Sequence, residues 1–165
     1  MSAPDKNMKQ ITFTAIDAAI DLVDHVDDDG LEDLCEKHAT AQPELIDYIL
    51  SAAIEYENPD LEGLLIYYFC LIMESYSHAE CSLKKIEVQD IESFEQEFLS
   101  ILETYFEDDN LDLLEEYTGQ ADLVHFMLVE ISTPDEDGTT LDDETGVQLF
   151  ISMMALISVI AKTND

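Results

Sequence analysis

Ile91, Phe94, Phe98, Ile101, Leu102, Tyr105 and Phe106 recur three and four positions apart, with Glu and Gln filling much of the space between them. This is the apolar stripe of an amphipathic helix. Ile16, Ala19, Ile20, Val23 and Val26 draw a similar stripe near the N-terminus. A short second helix is expected after each, over 31–38 and 111–117. Asp29 or Asp109 is placed to act as N-cap, and Glu32 or Asp112 falls at the third helical position, the spacing of a capping box. Third helices are expected over about 43–56, where Pro43 suits the first turn, and over about 121–131. The fourth pair, about 59–79 and 142–162, is apolar over most of its circumference and belongs at the centre of the molecule.

The two sets of four align with one another in segments. Residues 28–36 align with 108–116 at a constant offset of 80, and 42–50 with 120–128 at an offset of 78. Asp60 and Gly63 then fall on Asp143 and Gly146 at an offset of 83, with 64–73 against 147–156. The changes of register fall in expected turns, as a duplicated fold requires. The chain therefore reads as all-α: eight helices in two tandem four-helix repeats, about 8–79 and 88–162, packed as one globular domain over 1–165. Both a paired bundle and a short superhelix fit the pattern, and two copies are few for an open solenoid. Strand signals do not compete, since the Asp-Gly pairs at 29–30 and 137–138 are flanked by helical patterns.

Composition changes the picture in one respect. The 165 residues carry 39 Asp and Glu against 6 Lys and no Arg, a net charge of −33. The charge is no tail: residues 1–82 hold 18 acids and 3 Lys, and residues 83–165 hold 21 acids and 3 Lys. Nucleic acid and anionic membrane are disfavoured as partners, because binding to phosphates rests on clustered cations. Repulsion across such a surface costs stability, which salt or mild acidification is expected to return. Cys35, Cys70 and Cys81 lack metal-site or disulfide-framework spacing, and the first ten residues lack a secretory apolar run, so a reducing cytoplasm is the expected location. The apolar run 147–161 is shorter than a membrane span and reads as a core helix.

Candidate chemistry is thin. The segment 133–144 places Asp135, Asp137 and Glu144 at calcium-loop positions around Gly138, but Thr133 stands where the first ligand belongs, so a capped acidic insertion is favoured. Asp122 with His125, Asp21 with His25, and Cys35 with His38 are each spaced to share one helix face, yet no His recurs between the copies, and all four are expected to be isolated. Gly63 and Gly146 recur inside apolar helices, which suggests close helix approach at both. Signatures of hydrolases, phosphate loops and dinucleotide sites are absent, and no cofactor or metal is expected.

What remains is the surface. A rigid acidic helical body suits a non-enzymatic protein-binding module whose partner is a basic protein, as an inhibitor, an immunity-type protein or a mimic of nucleic-acid charge would be. Asp28, Asp29, Glu32, Asp108, Asp109 and Asp112, the acids at the repeated helix starts, are the expected contacts, two similar edges on one body. A soluble acidic protein of salt-adapted cytoplasm with no charge-specific partner, or a weak divalent-metal binder, is the alternative.

Overall fold

The computed structural model describes residues 10–133 and 141–164, which form eight helices and no strand. They are α1 (Phe13–His25), α2 (Asp28–Ala41), α3 (Pro43–Glu55), α4 (Asp60–His78), α5 (Val88–Asp108), α6 (Leu111–Thr118), α7 (Ala121–Ser132) and α8 (Asp143–Thr163). Pro43 opens α3 as expected, and Gly119 closes α6 at φ 66°, a left-handed conformation that glycine adopts without a Cβ clash.

α4 and α8 lie against each other at the centre of a globular molecule. α1, α2 and α3 pack on α4, while α5, α6 and α7 pack on α8. Leu65, Phe69, Leu71 and Ile72 of α4 meet Leu149, Met153, Met154, Leu156 and Ile157 of α8 in a continuous buried core, joined by Leu45, Leu114 and Leu123 from the shorter helices. α8 is long and apolar enough by composition to cross a membrane, and most of it is buried here among its neighbours. Leu34 of α2 and Leu64 and Tyr67 of α4, apolar as they are, are only half-buried.

The segments leading into α1 and α5 are pinned by buried glutamines. Ile11 N donates to Gln120 Oε1 at 2.7 Å, and Ile86 N donates to Gln42 Oε1 at 2.8 Å. Ile11 and Ile86 are fully buried, so their amides have no water to turn to, and these bonds satisfy them. Asn58, before α4, donates through Nδ2 to Thr145 Oγ1 and Gln148 Oε1 on α8 at 2.9 and 2.8 Å, tying the α3–α4 connection across the molecule.

Two helix starts differ from expectation. α2 begins three residues early, capped by Asp27, whose carboxylate accepts from Gly30 N at 2.8 Å. A Cβ on Gly30 would stand 2.8 Å from Val26 Cβ, so this tight connection admits only glycine, and it brings Asp27 rather than Asp29 onto the free amides. α6 is capped by Asn110, whose Oδ1 accepts from Asp112 N at 3.2 Å; Asp109 instead ends α5 at φ 53°. The reciprocal capping box forms at the start of α5, where Glu87 N donates to Asp90 Oδ2 at 2.9 Å.

Candidate functional site

α2, α3 and α4 leave between them an open groove of about 520 Å³. Residues four apart on α2 stack along one face, and α2 presents two such rows here. Leu31, Cys35 and Ala39 line the apolar interior, and Asp28, Glu32 and Glu36 follow beside them as an exposed acidic rim. α3 contributes Ile46 and Leu50, and α4 contributes Ile66, Tyr67 and Phe69. None of the lining residues is a cation.

Gly63 on α4 also lines the groove, and a Cβ added there would meet nothing within 4 Å. The expected close helix approach is therefore absent at Gly63. It exists at Gly146, where a Cβ would lie 3.2 Å from Ile131 Cγ2. Glycine inside a helix costs about 1 kcal/mol against alanine, and nothing among the described residues uses the space that Gly63 leaves open.

Cys35 lines the groove, and the thiol of the buried Cys70 lies near enough to interact with it. Burial pushes Cys35 up, and burial together with the neighbouring Cys35 pushes Cys70 up to about 12. Both are thiols rather than thiolates at neutral pH, so the groove offers no activated nucleophile.

Apart from the groove-lining residues, α2 and α4 are joined by an ion cluster around one buried carboxylate. Glu74, only 3% exposed, accepts from Lys37 Nζ at 2.8 Å and lies 2.5 Å from His38 Nε2, while His78 Nε2 stands 3.7 Å from its other oxygen. Burial by itself raises the Glu74 carboxyl, but the hydrogen bonds and charges of Lys37 and His38 outweigh it and hold the group below its ordinary value. Desolvation lowers His38 against the pull of the carboxylate. His38 is thus a buried partner of Glu74, not the isolated residue expected. The one signal in the sequence was an acid, Glu74, directly after the apolar run 69–73 of α4.

Of the six acids singled out from the sequence, the groove brings together Asp28 and Glu32. Asp29 lies exposed in the first turn of α2 without lining the groove. Asp108 ends α5, Asp109 is its left-handed cap and Asp112 lies in the first turn of α6, so these three belong to a different part of the surface. Glu36 was missed, although it stands one helical turn beyond Glu32. Among the remaining pairs, Asp122 Oδ2 accepts from Phe13 N at 3.2 Å and His125 sits edge-on against the Phe13 ring, both structural uses. Most of the calcium-like segment, 134–140, lies outside the described residues. Among the described residues no three His, Cys, Asp or Glu side chains converge as a metal requires.

A second cavity of about 440 Å³ lies between α5, α7 and α8, lined by Tyr105, Phe106, Leu128, Gly146 and Phe150, with Asp142 and Asp143 at its edge. Leu128, Gly146 and Phe150 are the sequence counterparts of Leu50, Gly63 and Tyr67 in the first. Comparison with protein-family models, curated proteins and solved structures returned no match.

Proposed function

We propose that this chain is a non-enzymatic protein-binding module that takes a basic segment of a partner protein in the groove between α2, α3 and α4. The observation that carries the reading is the pairing of an apolar interior with a one-sided rim of three exposed carboxylates and no cation among the lining residues. Apolar surface in such a groove favours an occupant that removes it from water, and the rim selects a cationic one. The net charge of −33 extends that preference over the whole body and steers basic partners toward it.

We read the scaffold as two tandem copies of one four-helix unit. In support, Gln42 and Gln120, opposite one another in the internal alignment, share nearly the same backbone angles, φ −134°, ψ 63° and φ −132°, ψ 66°. Each accepts from the segment leading into the other set of four helices. On this reading the groove at Gly63 and the cavity at Gly146 are divergent versions of one feature: the rim acids recur in sequence as Asp108, Asp112 and Glu116, but these do not line the second cavity.

Selection of peptides from a displayed library at low salt tests the binding role. Retained sequences should be rich in Lys or Arg, and Asp28→Asn with Glu32→Gln should weaken them about tenfold or more while the melting temperature stays nearly unchanged. Peptides indifferent to both substitutions, or a library that yields none, would remove the groove as the partner site.

A further inference from the structure

We infer that the segment seated in this groove is an amphipathic α-helix bearing a row of Lys or Arg at every fourth residue; the inference rests on the groove being the partner site. Its walls are all helices, whose backbone groups are spent on their own hydrogen bonds, and no strand edge exists among the described residues. An extended peptide laid along Leu31, Cys35, Ile46 and Ile66 would bring its amides and carbonyls against apolar side chains and leave them without partners. A helix satisfies its backbone internally and offers only side chains, the mode in which amphipathic segments enter apolar grooves.

The rim sets the register. Asp28, Glu32 and Glu36 are one turn apart, a rise of about 6 Å per step, and the same rise recurs between every fourth residue of an incoming helix. The wall from Asp28 to Ala39 extends about 17 Å, which three turns of helix cover. Acids line one wall only, so the cationic row belongs on one edge of the occupant, beside its apolar face. Gly63 and Ala39 leave room for close approach of a second helix axis.

Three peptides of about 14 residues test this: one with Lys at every fourth position beside a Leu/Ala face, one of the same composition with the Lys scattered around the helix, and one with a central Pro. The first should bind with a gain of helical circular dichroism, the other two at least tenfold more weakly, and Gly63→Trp should abolish the binding. Ile66→Lys gives a second groove variant with the same expected loss, should the tryptophan lower the melting temperature. If the Pro peptide binds within about threefold of the first and is still lost in Gly63→Trp, the helix is overturned while the groove stands as the basic-segment site. Equal displacement of the first peptide by a single-chain quaternary-amine amphiphile also overturns the helix. Binding indifferent to both groove variants, or no binding by any peptide, overturns the groove and the helix together. A self-association that Gly63→Trp abolishes would assign the groove to a second copy of the chain and overturn the inference.

Discussion

His38 Nε2 and Glu74 Oε2 meet at 2.5 Å in the interior, joining α2 to α4 through groups 36 residues apart in the chain. Glu74, held ionised by Lys37 and His38, requires the proton on Nε2 of a neutral ring. The pair makes stability depend on pH in one direction. Glu74 has a depressed folded pKa, so its contribution is present above the unfolded value and is lost as pH falls through the folded one. For His38, also lowered on folding, the unfolded chain takes up the proton first, so stability falls from about pH 6.5 downward.

Contrary to the expectation from net charge alone, acidification from about pH 7 to 5.5 should lower the melting temperature, and relief of surface repulsion should set in only near the ordinary carboxylate range. His38→Gln, which keeps a donor toward Glu74 and cannot titrate, should flatten that interval. Melts of both proteins at fixed ionic strength decide it, and a wild-type melting temperature that rises steadily from pH 7 to 5.5 would show that repulsion dominates throughout.

Gln42→Ala and Gln120→Ala should destabilise by similar amounts, about 1–3 kcal/mol each, because each leaves a buried isoleucine amide without its acceptor. Denaturant unfolding of the two variants measures this. A cost of a few tenths for either would mean that its leader segment finds water instead.

The glycines should respond in opposite senses to alanine. Gly63→Ala adds a methyl where nothing lies within 4 Å and should stabilise by about 0.5–1 kcal/mol through helix propensity. Gly146→Ala must displace Ile131 Cγ2 from 3.2 Å and should gain less, and Gly30→Ala should destabilise because Val26 Cβ stands at 2.8 Å. The order of the three midpoints in urea is the test.

Salt should raise the melting temperature, since a net charge of −33 lies over the folded surface and the Debye length shrinks to about 3 Å at 1 M. A midpoint unchanged between low salt and 1 M would mean that self-repulsion contributes little to the balance.

The periodicity of apolar residues was sufficient to place all eight helices in order, because helical side-chain direction repeats locally and the stripe must face a core. Pro43 at the start of α3 was legible from its fit to a first turn, and the central place of the two most apolar helices from their lack of a polar face, whereas the internal alignment paired Gln42 with Gln120 without showing their bonds to Ile86 and Ile11. Where local chemistry was degenerate, tertiary structure decided. Asp27 and Asp29 are equally competent caps, and the close approach of Gly30 to Val26, which any side chain at 30 would block, lets the helix start from the first. Gly63 and Gly146 occupy equivalent places in sequence, yet one faces Ile131 and the other an open groove. Burial of Tyr67 could not be told from exposure to that groove, since an apolar stripe does not say whether the chain itself supplies the covering helix. The meeting of His38 with Glu74 lay beyond any local pattern: a buried carboxylate is stable only beside its compensating partners, and only the packing of α2 on α4 brings them together.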